Sequence, residues 1–432
     1  MSCNQTLTIG DIAQVFDGPH ATPKKIEAGP YFLSISSLEN GKLDLSKSAH
    51  VSDEDFKKWT RRVTPEEGDI LFSYETRLGE VAMMPAGITA CLGRRMGLLR
   101  PDRSKILPEY LLYAYQSPPF QETIRSKTIH GATVDRIALK ELPSFQIQVP
   151  PLSVQEKIVN VLKGYDRKLM LNSETNQTLE EMAQAIFKSW FVDFDPVKAK
   201  MNGERPEGMD AATASLFPEK LVESELGLIP EGWEVTKLSK VIDLLNGFAF
   251  KSPDYVKEGT FVLRTKNFDS SNSVERLGDD VYLPDEFLES HKKYLCEAYD
   301  YHVVMVAASI GKTGMIYPHQ LPALRNQNMW CFRPKNESLR FYTKYMVDGL
   351  VKLNMGLASG SARAFFKKGD FNSYEFALPS SELLTKFNDV VGNLVKQKGS
   401  LLNQNVQLAA MRDTLLPKLL SGEIDLEMPT EN

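Results

Sequence analysis

Residues 131–158 (GATVDRIALKELPSFQIQVPPLSVQEKI) and 360–387 (GSARAFFKKGDFNSYEFALPSSELLTKF) carry one pattern at a constant separation of 229 positions. In that register Gly131 falls on Gly360, Phe145 on Tyr374, Ile147 on Phe376, Pro150 on Pro379 and Ile158 on Phe387. It continues without a gap, placing Asn176 on Asn405, Leu179 on Leu408, Met182 on Met411 and Ile186 on Leu415. Upstream the match is looser: GPYFL at 29–33 resembles GTFVL at 259–263, and LGEVAMMP at 78–85 resembles IGKTGMIYP at 310–318. Solenoid repeats have periods of roughly 20–50 residues, so this is a duplicated domain and not an array.

Each copy has one plan. About 150 residues mix short β-rich runs (YFLSIS, GDILFSY, FQIQVP; then FVLRT, YHVVMVAAS, YEFALP) with Gly, Pro and Asn turns. In SFQIQVP, Phe145, Ile147 and Val149 alternate with Ser144, Gln146 and Gln148, as a half-buried strand requires. Pro150–Pro151 stops that strand, because proline donates nothing to a ladder. Ser153 followed by Glu156 then reads as a capping box opening a helix. In the second copy Leu384 replaces that Glu.

Two long helices are expected, at about 153–191 and 382–420, each roughly 57 Å long at 1.5 Å per residue. The first has a seam of Val154, Ile158, Val161, Tyr165, Leu169, Asn176, Leu179, Ala183, Ile186 and Trp190. The second has Leu384, Phe387, Val391, Leu394, Lys398, Leu401, Asn405, Leu408, Leu415 and Leu419. Spacings of three and four with a stutter suit a coiled-coil seam, and the obvious partner of each helix is the other copy. Asn176 and Asn405 fall in both seams, where a buried Asn fixes register. The fold class that follows is α+β: two similar mixed α/β domains, each followed by a long helix, the helices packed as an antiparallel coiled coil about an internal pseudo-twofold. Boundaries fall at 1–150 for the first domain and 151–192 for its helix. A linker at 193–232 reads as an exposed connector, rich in Pro, Gly and charge. The second domain spans 233–380 and its helix 381–420, leaving a tail at 421–432.

With 432 residues and 42% apolar content, two cores are feasible. No apolar run is long enough for a membrane span, and MSCNQTLTIGDIAQ lacks the basic start and apolar core of a signal peptide, so a cytoplasmic protein is expected. The four cysteines show no C-x-x-C spacing and read as reduced. Net charge is −5, which weighs against nucleic-acid binding over the whole surface. The deficit is local. Residues 1–150 hold 18 basic against 18 acidic groups and residues 231–380 hold 19 against 18, whereas 151–230 hold 9 against 13. Each domain can therefore still present a basic face.

At this point the residues carry a resemblance to the specificity subunits of type I restriction–modification systems, over essentially the full length. Its most specific pieces are FKSWFVDFDPVKAKMNGERPEGM at 187–209 and SELGLIPEGWEVTKL at 224–238. GFAFKSPDY at 247–255, VPPLSVQEKI at 149–158 and LLPKLLSGEIDL at 415–426 support it. Two departures stand out: Val154 where the family usually has an acidic residue, and a weak LPSSELLTKF in the second half. The resemblance implies two target-recognition domains on a pair of antiparallel helices, reading an asymmetric bipartite site in double-stranded DNA. It implies two modification (methyltransferase) subunits and restriction/translocase subunits as partners. It implies no catalysis and no cofactor on this chain, with S-adenosylmethionine, ATP and magnesium expected on the partners only. If such a rod held two readers about 35–45 Å apart, half-sites would lie roughly 10–13 base pairs apart.

Base readout needs Arg, Lys, Asn or Gln at groove edges. In the first domain the candidates are Lys24, Lys25, Arg94 and Arg95, with His130, Thr133 and Arg136 from the HGATVDR loop. In the second they are Lys251, Lys266, Asn267, Lys312, Arg325, Asn326, Gln327, Arg363 and Lys367, with the RNQN run at 325–328 the densest cluster. The helix–helix seam is represented by Ile158, Tyr165, Asn176, Leu179, Ile186, Phe387, Leu394, Asn405, Leu408 and Leu415.

Other chemistries fail on residues. Gly311–Lys312–Thr313 lacks the upstream glycine of a phosphate loop, Val306 standing there. Pro150–Pro151 follows Val149, not the Asn or Asp of an adenine methyltransferase motif. Asp193 and Asp195 have no third ligand nearby, and the histidines show no H-x-x-x-H spacing, so no metal site is expected. A fused methyltransferase or nuclease would need a core that this length does not leave room for. The remaining alternative is a coiled-coil protein-interaction adaptor without sequence-specific DNA binding.

Overall fold

The computed structural model describes residues 5–39, 41–131, 133–358 and 366–424. The chain divides into two compact units, Met1–Met170 with Val406–Asn432, and Leu171–Asn405. Each unit takes one end of each long helix, Leu152–Phe191 and Ser381–Ser421, whose limits match the sequence expectation to within a residue.

In unit 1 a four-stranded antiparallel sheet runs in the order Ala13–Asp17, Met96–Pro101, Ile70–Ser73, Val81–Met83. A second sheet sets Ile26–Phe32 between Ala49–His50 and Ala90–Cys91, the latter pairing parallel. Gln5–Thr8 pairs with Gln146–Val149, so the ends of the domain close on each other. Unit 2 repeats the two larger sheets and the closing strand pair, while the small pairs Leu38–Glu39 with Lys42–Leu43 and Thr128–Ile129 with Arg136–Ile137 occur in unit 1 alone among the described residues. The main sheet of unit 2 is Ile242–Asn246, Met329–Pro334, Tyr301–Val304, Thr313–Met315. Thr260–Leu263 lies between Tyr282–Leu283 and the parallel Ala323–Arg325. Glu234–Lys237 pairs with Glu375–Leu378. Gly29 and Gly259 even share a φ of 141°, a conformation that only glycine adopts without strain.

The alternation in SFQIQVP holds, with Phe145, Ile147 and Val149 buried and the residues between them exposed. The helix after it starts differently from expectation. It begins at Leu152, and no hydrogen bond joins Ser153 to Glu156 among the described residues. Buried Gln155 ties it down instead: its amide oxygen accepts from Leu107 N at 2.8 Å, and its Nε2 donates to the carbonyls of Pro150 and Lys105. A side chain that satisfies three backbone groups of its own domain fixes the helix more firmly than a local cap. The second helix is capped by Ser380, whose hydroxyl accepts from Leu383 N at 3.2 Å.

The helix segments run antiparallel in each unit. In unit 1 Ile158, Val159 and Leu162 share a core with Leu416, Leu419 and Leu420, with Leu415 packed alongside. Arg412 donates to Asp166 at 2.9 Å. In unit 2 Ala183, Trp190 and Phe191 join Leu383, Leu384, Phe387 and Val391, and the Phe191 and Phe387 rings lie 4.9 Å apart. Ile186 and Leu394 pack on that core, and Leu179 is buried. The seam is not continuous, however. Between Leu162 and Asn172 no residue of the first helix is buried, and Tyr165 and Leu408 are only half-covered. The apolar positions work where a domain packs against both helices at once.

The polar seam residues also pair differently. Asn405 accepts from Asn172 at 2.8 Å, and Gln404 from the same amide at 2.7 Å. Asn176 is buried with neither amide atom bonded. Glu180 sits between two buried lysines, accepting from Lys344 and, at 3.0 Å, from Lys398. Burial raises its pKa, but the two ammonium charges outweigh this and bring it to about 2.

Residues 193–232, read as an exposed connector, are structured. They form the helices Asp195–Met201 and Ala211–Ser215 and a hairpin of Leu221–Ser224 with Gly227–Pro230. Val197 and Phe217 anchor them in the unit 2 core beside Trp190 and Trp233. The sparse anchors are hidden by turn-rich composition around them.

Removing the Glu180 carboxylate leaves two buried lysines uncompensated. Glu180→Ala is expected to cost about 3–5 kcal/mol, read as a fall in the denaturant midpoint. A loss under about 1 kcal/mol, the scale of an exposed pair, would contradict that account.

Candidate nucleic-acid interface

In unit 1 three connections leave the main sheet at one end. Asp17 pairs with Gly97, Met96 with Ser73 and Phe72 with Val81. The stretch from Gly18 to Lys25, the turn Gly93–Arg95 and the loop Tyr74–Glu80 therefore emerge together. Asp135 and Ile137 join them, because Thr76 N donates to Asp135 O at 3.1 Å and Ile137 N to Tyr74 O at 2.9 Å.

Unit 2 repeats this end. Asn246 pairs with Trp330, Val304 with Met329 and Val303 with Thr313. The stretch from Gly247 to Lys251, the turn Asn326–Asn328 and the loop Met305–Lys312 meet there. Phe366 N donates to Met305 O at 3.0 Å and brings Lys367 in. Arg94–Arg95 and Gln327–Asn328 thus occupy one position in the two copies. Gly18 and Gly247, themselves 229 positions apart, explain the close packing. A Cβ on Gly18 would lie 2.7 Å from Gly93 O, and one on Gly247 only 1.8 Å from Asn326 O. That glycine pair was a readable signal that sequence analysis passed over.

Lys24, Lys25, Arg94 and Arg136 in unit 1, and Lys251, Lys312 and Lys367 in unit 2, are exposed. Among the described residues none of these side chains forms an ion pair or hydrogen bond. Unpaired cations gathered at a sheet end suit a polyanion, since no internal partner must be given up. Thr133 is exposed, and His130 is exposed with its Nδ1 3.1 Å from Asp135. Arg95 is held by Glu75 at 2.7 Å and donates to Thr76 Oγ1 at 3.3 Å. Asn326 is half-buried, its amide 3.4 Å from the Tyr255 hydroxyl. Arg363 lies outside the described residues.

Three candidates need correction. Arg325 is 1% exposed and donates to three backbone carbonyls, those of Asn246 at 2.9 Å, Leu295 at 2.7 Å and Lys293. It is a framework group of the core, and the RNQN run presents only its later residues. Asn267 is fully buried, accepting from Arg264 N and donating to Glu275 O and Asp280 Oδ1. Lys266 is paired with Asp279 and donates to its carbonyl at 2.9 Å. Donor-rich local sequence does not separate a groove-reading side chain from one that ties a strand end to its neighbours.

Beneath Arg325 lies a buried polar cluster. Ligand-type atoms of Asp300, His302 and Cys331 lie within 4.8 Å of one another. The Asp300 carboxylate is already occupied, by Arg333 at 2.9 Å, Glu297 N at 2.7 Å and Arg340 at 3.5 Å. With these cations in place the group serves as structural support and poorly suits a metal ion. Burial pushes His302 down to about 4 and Cys296 up to about 12.

These features define an internally duplicated α+β protein with one long helix per copy. The family model for the type I restriction modification DNA specificity domain matches residues 1–181 and 230–390, and the chain belongs to that family, as a type I restriction–modification specificity subunit. It is 28% identical over 371 residues to the type I restriction enzyme HindI specificity subunit of Haemophilus influenzae, covering 76% of this chain and 80% of that one. It is 23% identical over 415 residues to the MjaIX specificity subunit of Methanocaldococcus jannaschii, covering 95% and 88%. The crystal structure of the type I restriction–modification S subunit from M. genitalium shares the fold, with TM-score 0.53 and 16% identity, covering 97% of this chain and 96% of that one. Among the described residues no helix is long and apolar enough to cross a membrane.

Two measurements check the site's framework. Arg325→Ala orphans three buried carbonyls and is expected to cost about 3 kcal/mol or more, whereas Gln327→Ala should stay within about 0.5 kcal/mol. Thermal unfolding of both variants decides whether Arg325 is structural. His302, whose folded pKa lies below its unfolded value near 6.5, stays neutral while the unfolded chain takes up a proton. Stability is therefore lost as pH falls from about 6.5 toward 4, by roughly 2 kcal/mol between pH 7 and pH 5. Urea titrations at the two pH values should show that drop in the natural chain and a smaller one in His302→Gln.

Proposed function

We propose that this chain reads an asymmetric, bipartite double-stranded DNA target for a type I restriction–modification complex and positions its modification and restriction subunits, without catalysing a reaction itself. The observation that carries the reading is the repeated cluster of strand-end loops, each with exposed, unpaired cations, and with Arg94 or Gln327 exposed at one shared position. Family membership supports it. Similar scaffolds with different loop residues favour two unlike half-sites, since Arg94 and Gln327 occupy one position with different chemistry. S-adenosylmethionine, ATP and magnesium belong, in this reading, to the partner subunits. A net charge of −5 limits sequence-blind binding by this chain alone, so the partners would supply part of the phosphate contact.

Co-expression with the cognate modification subunit, followed by genome-wide mapping of modified adenine, tests this. The expected result is a split asymmetric motif with a fixed gap. Exchange of residues 1–150 for another reader should change one half of it only. If no modification appears although the partner is folded and bound, the protein-interaction adaptor becomes the better reading.

A further inference from the structure

We propose that the turn before the second strand of each main sheet is where each unit fixes the identity of one base, with Arg94 and Gln327 as the reading side chains. Arg94 would take a guanine and Gln327 an adenine, both in the major groove. This rests on the DNA-reading function proposed above.

Three observations carry the assignment. The first is equivalence. Both turns lead into the inner strand that pairs with the first strand of its sheet, Met96–Pro101 with Ala13–Asp17 or Met329–Pro334 with Ile242–Asn246. Both end on a left-handed residue, Arg95 at φ 70° and Asn328 at φ 75°. The second is rigidity. In unit 1, Gly18 N donates to Met96 O at 2.9 Å and Tyr74 N to Arg95 O at 3.2 Å. In unit 2, Gln327 N donates to Phe248 O at 2.8 Å and Met305 N to Asn328 O at 3.0 Å. A backbone held from both flanks presents its side chain with little positional freedom, which base discrimination requires. The third is availability. Arg95 is engaged by Glu75 and Thr76 and Asn326 lies near Tyr255, whereas Arg94 and Gln327 are exposed and have no side-chain partner among the described residues.

The chemistry then differs by residue. A guanidinium presents two parallel donors that match O6 and N7 of guanine. A carboxamide presents one donor and one acceptor that match N7 and the N6 amino group of adenine. One scaffold position carrying two hydrogen-bonding codes is an economical way to make two half-sites unlike.

The test uses the full chain bound to its modification subunit. Arg94→Ala, Arg94→Lys, Gln327→Ala and Gln327→Arg are compared with the natural chain by modified-adenine mapping and by competition binding to cognate and scrambled duplexes. Arg94→Ala should relax one guanine position in the half-motif that follows residues 1–150 on domain exchange. It should weaken cognate binding roughly 5- to 150-fold and scrambled binding far less. Arg94→Lys keeps the charge but not the paired donors, and should relax the same position. Gln327→Arg should shift one position of the other half-motif from adenine toward guanine. The inference is overturned if the natural chain directs a split motif that all four variants leave unchanged. It is equally overturned if the Arg94 variants weaken cognate and scrambled duplexes alike, as a phosphate contact would. A natural chain that directs no motif at all overturns the DNA-reading proposal itself, and this inference with it.

Discussion

Each unit's core is finished by helix segments that the sequence places far apart. In unit 1, Leu416, Leu419 and Leu420 close over Ile158, Val159 and Leu162 and the domain residues behind them. In unit 2, the end of the first helix supplies Ala183, Trp190 and Phe191 to a core shared with Leu383 and Phe387. Within a folded protein an amphipathic helix draws most of its stability from the apolar face it buries. Here that face is divided between a domain and the opposite helix. The loops of each unit are consequently mounted on a core that exists only when a segment of each long helix is in place.

This division explains what the sequence could and could not say. The duplication was legible because it recurs in one register, and the strand order of the two larger sheets repeats between the units. The helices were legible from spacing alone. Which apolar positions would be buried was not, since a three-and-four spacing marks a face without naming what covers it. Gln155 shows the same limit. Its three bonds reach residues up to 50 positions away, and no local cap rule can anticipate them. The segment 193–232 failed for the opposite reason: two anchors, Val197 and Phe217, outweigh a composition that otherwise describes a linker.

At the candidate site the same logic separates readers from framework. Arg94 and Arg325 are both arginines near the turn that precedes a central strand. One is exposed and unpaired, and the other is buried against three carbonyls. Burying a guanidinium is tolerable only when its donors are satisfied, and the carbonyls of Asn246 at a strand end and of Lys293 and Leu295 at a tight turn provide that. The arginine that locks unit 2's loops in place thus frees Gln327 and Asn328 to face outward. Sequence could find the neighbourhood, because RNQN at 325–328 gathers four hydrogen-bonding side chains, but sidedness emerges only with the strand pairing.

The polar groups between the helices address a different problem. A seam of leucines repeated every seven residues can pair equally well after a shift of one heptad, about 10 Å along the axis. Such a shift would carry Glu180 away from Lys398 and Asn172 away from Asn405, leaving charges buried without partners. It would also withdraw Leu416, Leu419 and Leu420 from the unit 1 core. An ion cluster of this kind adds little over a well-packed apolar substitute in the correct register. Its contribution lies in how much worse it makes every other register, and that is what a chain built from two nearly interchangeable halves requires.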